Sequence, residues 1–315
     1  MKITIQDYTW QIILNPFAMS HKSGSYWNQI DEYLKNLKIS YQNHITEQVS
    51  EAKILITKLL SEGKRHFMVI GGDGTFNNFI NAVMESGISP DEVFMIPIIM
   101  GTGNDWARTH FAKNTFIYTR EFISSGSFTN HDIGLVEIFQ NDICVEKKYF
   151  LNIAGFGFDA QIIKNTMDKK PKILPQAVYL FSLFTTLMSQ KSIKVNLKID
   201  DQIFEKEIFS LAAGIGQFNG NGMKQCPNAI PNDHFFEMIV IDKVSKFKVI
   251  KNVKNLFDGS HVEKLKEITS YKASSIEIKA NPHILGEVEG ELLSLGDYKI
   301  SSINPGIHIL SESWN

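Results

Sequence analysis

In the first third of the chain, short apolar runs alternate with stretches in which apolar residues return every three or four positions. Trp10 to Leu14, Phe67 to Ile70 and Val93 to Met100 are runs of the first kind, the pattern of strands covered on both faces in a parallel sheet. Ile39 to Ile45 predicts one more strand. Trp27, Ile30, Tyr33, Leu34 and Leu37 mark a helix face, as do Val49, Ala52, Ile56, Leu59 and Leu60, and then Phe76, Phe79, Ile80 and Val83. The resulting βαβαβαβα order predicts an α/β fold, a doubly wound and mostly parallel sheet with helices on both faces.

The pattern changes near Asn130-His131-Asp132-Ile133-Gly134. Beyond it, Ile193, Val195, Leu197 and Ile199 alternate with polar residues up to a hairpin turn at Asp200-Asp201. Phe209 to Ile215, Phe235 to Ile241, Ser274 to Ala280 and Lys299 to Ile303 read as further strands, with helices near 175–188 and 246–257. A second, antiparallel β-sandwich-like domain is therefore expected over residues 132–296, after an α/β domain over residues 1–131.

Two strand ends carry the candidate chemistry. Phe67 to Ile70 runs into Gly71-Gly72-Asp73-Gly74-Thr75 and a helix, and Val93 to Met100 into Gly101-Thr102-Gly103-Asn104-Asp105. Glycines let backbone approach a ligand closely, and helix starts attract anions. On neighbouring parallel strands both turns would open at the same carboxyl edge, where ligands of such sheets bind. The carboxylate of Asp73 would repel phosphate, so it either caps its helix, helps activate a hydroxyl or shares a metal ion with the phosphate. Neither turn fits the common nucleotide fingerprints, G-x-x-x-x-G-K-[ST] and G-x-G-x-x-G.

The pair GGDGTFNNFIN and GTGNDWAR does resemble the two nucleotide-side motifs of the diacylglycerol kinase catalytic family, which includes bacterial lipid kinases and sphingosine kinases. The resemblance implies ATP and Mg2+ as cofactors and a lipid alcohol as substrate, with the active site in the cleft between the domains. It implies nucleotide contacts from Asn15 and Pro16, from Thr46 (otherwise a helix cap), and from Gly71, Gly72, Asp73, Gly74, Thr75, Gly101, Thr102, Gly103 and Asn104. It also implies that residues 297–315 return to complete the first domain. Asn152 to Ala160 looks like the family's glycine-aromatic turn, where Asp159 reads most simply as a cap. Gly220-Asn221-Gly222-Met223 with Asp233 looks like a structural metal region, although His234 and Glu237 depart from the family pattern. Metal contacts are expected from Asp73, Asp105 and Asp233. Gly286-Glu287-Val288-Glu289-Gly290-Glu291 stands where members show Asp-Gly-Glu. On a strand, Glu289 and Glu291 would share a face, and crowding would raise a pKa in favour of a base for the acceptor hydroxyl. The alternative is a solvated acidic turn. Asp132 lies at the family's domain junction and serves the cleft or an ordinary turn.

Composition narrows this only slightly. A formal charge of −2 argues against nucleic acid as main partner. Two cysteines, Cys144 and Cys226, suit a reducing cytoplasm. The start of the chain lacks a signal-peptide core, and the apolar stretch Ala177 to Met188 is too short to span a bilayer. Membrane contact is thus expected to be peripheral, at the inner face, and a homodimer stays open. Tyr179, Leu180, Leu183, Phe184, Leu187 and Met188, preceded by Lys169, Lys170 and Lys172, read as a lipid channel wall with a basic lip or as an amphipathic core helix. Besides the lipid kinase, two readings are carried: a related kinase with a soluble acceptor such as NAD, and a non-catalytic nucleotide- or lipid-binding member.

Overall fold

The computed structural model describes residues 3–14, 23–46, 49–101, 103–111, 123, 127–167 and 185–311. The chain divides into two compact units, residues 1–133 with 304–315 and residues 134–303.

In the first unit, β1 (Thr9–Leu14), β2 (Ser40–Ile45), β3 (His66–Gly71) and β4 (Phe94–Ile99) alternate with α1 (Ser23–Asn36), α2 (Val49–Ser61), α3 (Asp73–Glu85) and α4 (Asp105–His110). Strand β5 (Ser127–Gln140) starts in this unit, and β15 (Asp297–Ser311) ends in it. All pairings along β2-β1-β3-β4-β15 are parallel. Burial follows position in the sheet. The inner strands β1, β3 and β4 are buried at every position after their first, whereas the edge strand β2 has no fully buried residue. Covering both faces demands the unbroken apolar runs of the inner strands. Helix α3 buries Phe76, Phe79, Ile80 and Val83. Because β1 lies between β2 and β3, chain order reverses beside it, which makes the carboxyl ends of β1 and β3 a switch point.

In the second unit β9 (Gln202–Gly214) is the long central strand. Its first half forms a hairpin with β8 (Ile193–Ile199) and its second half lies between β7 (Ile153–Gly157) and β10 (Phe236–Asp242), all antiparallel. β11 (Ile268–Ala273) pairs with β10, and β12 (Ser275–Ala280) joins β8 to the first part of β15. Val195, Leu197, Ile199, Leu211, Phe236 and Ile276 belong to its core. Two hairpins were not evident from periodicity. β5 pairs with β6 (Ile143–Phe150) through a turn at Asn141 and Asp142, both at positive φ. β13 (Gly286–Val288) pairs with β14 (Glu291–Leu292) through Glu289 at φ 53° and Gly290 at φ 81°. This second turn overturns the expectation that Glu289 and Glu291 share a strand face. Alternation needs continuous extended backbone, and here the chain reverses between the two acids.

Helix α5 (Phe158–Met167) follows β7; α6 (Lys246–Asn252) and α7 (Asn255–Asp258) fall in the region expected to be helical. Of the helix expected near 175–188, only 185–188 fall among the described residues, and these are helical.

Candidate functional site

The two glycine corners of the first unit touch. A Cβ on Gly101 would lie 2.7 Å from Gly72 Cα, and one on Gly72 would lie 3.0 Å from Gly101 Cα. Only glycine at both positions lets the backbones meet so closely. The Met100 N–H donates to the Gly71 carbonyl at 2.7 Å, which fixes the ends of β3 and β4 together. Asn104, at φ 53°, closes the second corner by donating its side-chain amide to the Gly101 carbonyl at 2.8 Å. At Gly74 nothing lies within 4 Å of where a Cβ would be. The first turn of α3 therefore has an open side directly beside the paired corners.

Asp73 links the two turns. It is the first residue of α3, yet its carboxylate accepts from the N–H groups of the other helix: Asp105 N–H at 2.9 Å and Trp106 N–H at 3.2 Å. These are N-terminal donors that α4 cannot satisfy internally. Burial pushes the Asp73 carboxyl up to about 6; the neighbouring Asp105 charge adds to this, while the two N–H donors and Arg108 oppose it. Asp105 is itself offset by the Arg108 guanidinium, with Nε 3.3 Å from Oδ1.

Thr46, at the carboxyl end of β2, donates its N–H and its hydroxyl to the Leu14 carbonyl at 3.2 and 3.4 Å. It thereby joins the same sheet edge. Below the corner, the Trp106 indole N–H donates to His131 Nε2 at 3.1 Å, which leaves the His131 proton on Nδ1, donated to the Asp132 carbonyl at 2.6 Å. Burial depresses both His131, to about 4, and His110, which lies 3.1 Å from His131 Nε2. These neutral rings hold α4 in place. Asn15, Pro16 and Thr102 lie outside the described residues, as do Lys169, Lys170, Lys172, Tyr179, Leu180, Leu183 and Phe184.

In the second unit the three acids of the 287–291 hairpin differ sharply. Glu291 is exposed and ion-paired with Lys148 at 3.1 Å. Glu289 accepts from the Leu151 and Asn152 N–H groups at 3.1 and 2.7 Å through one oxygen. Glu287 is buried, opposite Gly155 in the β13–β7 register, and its Oε1 would stand 2.6 Å from a Cβ there. Asp159 presses on the same glycine and accepts from Gln225 Nε2 at 2.6 Å and Ser210 Oγ at 3.3 Å. Burial raises Glu287 to about 8 and Asp159 to about 6. The sequence reading missed Glu287 and took Asp159 as a cap. A glutamate paired with a glycine across two strands was the available signal, and it needs the register to be seen.

Asp159, Ser210 and Gln225 also mark a polar spot in an apolar recess with a cavity volume of about 90 Å3, lined by Phe158, Ile162, Phe209, Val249, Val253 and Leu256 among others. It lies wholly within the second unit.

The donors fit Mg2+ unevenly. Among the described residues no group of three or more His, Cys, Asp or Glu side chains could hold a metal ion. Mg2+ commonly needs one or two carboxylates, with substrate phosphates and water completing its shell; Asp73 and Asp105 lie together at the paired corners, where phosphate could join them, although Asp73 already accepts two N–H groups and Asp105 pairs with Arg108. Asp233 is committed elsewhere: its carboxylate pairs with Lys272 at 2.8 Å and accepts from the Phe235 N–H at 3.1 Å. Glu237 is equally committed, accepting from the Asn228 N–H, the Asn228 amide and the Ser270 hydroxyl at 2.5, 2.8 and 2.7 Å.

A doubly wound unit with paired glycine corners, carried in one chain with an antiparallel β unit, defines a class, and comparison with known proteins gives its family. Residues 9–136 match the family profile of the diacylglycerol kinase catalytic domain, and residues 152–309 that of the YegS C-terminal NAD kinase beta sandwich-like domain. A YegS-like lipid kinase of Alcanivorax borkumensis is 27% identical over 73% of this chain and 74% of its own. A diacylglycerol kinase of Staphylococcus epidermidis is 27% identical over 83% of this chain and 79% of its own. The crystal structure of a diacylglycerol kinase from Bacillus anthracis str. Sterne shares the fold, with a TM-score of 0.72 at 19% identity, over 99% of this chain and 98% of that one. The chain belongs to the diacylglycerol kinase catalytic family, and so to the kinase-type transferases.

Proposed function

We propose that this protein is an ATP-dependent lipid kinase that transfers the γ-phosphoryl group to the hydroxyl of a lipid such as diacylglycerol or a sphingoid base. The observation that carries the reading is the pair of abutting corners, Gly71–Thr75 and Gly101–Asn104, with the open side of Gly74 beside them. In this reading the corner backbones seat the nucleotide phosphates. Asp73 does two jobs, tying α4 to α3 through the two N–H groups it accepts from and offering a carboxylate to the metal ion that meets the phosphates. Bound through Asp73 and Asp105, Mg2+ would neutralise phosphate charge, the main demand of phosphoryl transfer.

Of the acids in the second unit, Glu291 is the proposed base for the acceptor hydroxyl. Glu287, raised to about 8, holds its proton at neutral pH. Glu289 is engaged, its Oε1 taken up by two N–H donors. Glu291 keeps an exposed carboxylate, held only by the Lys148 pair among the described residues. The relatives named lipid kinase and diacylglycerol kinase favour a lipid over a soluble acceptor, and the recess, with apolar walls and a polar spot, is of matching chemical character.

The test is purified protein with γ-labelled ATP, Mg2+ and a panel of diacylglycerol, sphingoid bases, phosphatidylglycerol and NAD. Label in the organic phase is expected. Label on NAD would assign a soluble acceptor, and ATP binding without transfer would make this a non-catalytic member.

A further inference from the structure

The segment from Lys246 to Asp258 has two faces. One, through Val249, Val253 and Leu256, lines the apolar recess. The other is exposed and also apolar: Phe247 is 76% exposed, Phe257 54% and Ile250 44%. Neither α6 nor α7 contains a fully buried residue. Exposed aromatic residues this close together are unusual on a surface that meets only water. By spacing, Phe247, Ile250 and Lys251 share one face of α6; Lys254 is exposed between α6 and α7, and Lys246 donates to the carbonyl of Met188, another exposed apolar residue. The remaining lysine, Lys248, is neutralised by Glu267, with both oxygens at 2.7 Å. The acid of the segment, Asp258, accepts from the Ser260 N–H and hydroxyl at 2.9 and 2.6 Å at the far end. Phenylalanine and isoleucine flanked by unneutralised lysines form the pattern of a helix lying in a membrane interface, apolar residues at the acyl boundary and cations on headgroups.

We propose that Lys246–Asp258 is the surface on which this protein docks to an anionic lipid bilayer, with Phe247, Ile250 and Phe257 inserted and Lys246, Lys251 and Lys254 on the headgroups. The surface deepens the lipid-kinase reading and rests on it for its purpose: the segment that meets the bilayer is the one that lines the recess, so substrate would pass from bilayer to recess along it. A bilayer fits better than a protein partner because Lys246, Lys251 and Lys254 flank the exposed apolar residues, while the segment's one acid, Asp258, is turned to Ser260 at its far end.

The test is co-sedimentation with vesicles of phosphatidylcholine alone or with a third of phosphatidylglycerol. The wild type is expected to bind the anionic vesicles and to bind the neutral ones far more weakly. K251Q/K254Q should weaken anionic binding roughly 30-fold, and F247A/F257A about tenfold or more. Both variants should melt like the wild type, since all four side chains are exposed. Phosphorylation of detergent-dispersed lipid should be unchanged in both, which separates docking from catalysis. The proposal is overturned if the wild type ignores anionic vesicles, if the variants sediment as it does, or if the same substitutions dissolve a solution dimer, which would give the face to a second copy. A wild type that binds vesicles yet phosphorylates no dispersed lipid counts against the kinase reading alone and leaves the docking surface standing.

Discussion

Asp73 in the first unit and Glu287 in the second are both buried carboxyls raised above their usual range, and they are held in opposite ways. Asp73 receives two N–H groups from a neighbouring helix and lies beside an open glycine. Glu287 receives one, from Gly290 at 2.8 Å, and is packed against Gly155 with Asp159 next to it. The first is an acid placed where a ligand has room. The second stores a proton inside a sheet. Burial alone therefore does not mark a reactive group; what matters is what the carboxyl faces.

The comparison can be broken most violently at the corner. Gly101→Ala puts a methyl 2.7 Å from Gly72 Cα, so the corners must separate. Loss of transfer is expected, with about 1–3 kcal/mol of destabilisation. A variant with wild-type melting and turnover would contradict the abutting geometry. Asp73→Asn keeps one acceptor oxygen for α4 while removing the charge, so transfer should fall at least about a hundredfold (some 3 kcal/mol of transition-state stabilisation) while stability drops by only about 1 kcal/mol. A stability loss alone, measured with transfer intact, would make Asp73 purely a cap. Glu289→Ala strands two N–H groups and should cost about 1–3 kcal/mol in chemical denaturation. Glu291→Gln removes an exposed pair and should cost under about 1 kcal/mol of stability, while transfer should fall about a hundredfold or more through loss of the base.

The smallest effect is a slope. Glu287 has its folded value, about 8, above its ordinary 4.5, and Asp159 and Asp73 are shifted the same way. Between those values the folded chain holds a proton that the unfolded chain has released. Stability should therefore fall as pH rises from about 5 to 8, by at most about 1.4 kcal/mol per pH unit per proton. Glu287→Gln should flatten the upper part of that slope. An unchanged melting-temperature profile would remove Glu287 as a stored proton.

What the sequence made legible follows from how local each signal is. The inner strands of the first unit announce themselves because two-sided burial requires unbroken apolar runs, and the corners because glycine is needed wherever backbones touch. The β8–β9 hairpin is equally plain, since one-sided burial makes Val195, Leu197 and Ile199 alternate. The β5–β6 hairpin escaped notice because only one residue of β6 is buried and its residues follow no simple period. The role of Glu287 was hidden for a different reason: opposition to Gly155 is a fact of register between strands more than a hundred positions apart. The two-residue turn at Glu289-Gly290 also escaped, because a glutamate at positive φ is an unlikely first turn residue.

The central claim is that the open side of Gly74 belongs to the nucleotide, and Gly74→Ala tests it most directly. The added Cβ meets no protein atom within 4 Å, and replacing a helical glycine should stabilise the fold by about 0.5–1 kcal/mol. Titration calorimetry with ATP and Mg2+ should then show a protein that melts higher than the wild type and binds ATP at least about tenfold more weakly, equivalent to about 1.4 kcal/mol. A variant that melts higher and binds ATP as tightly as before would contradict the account.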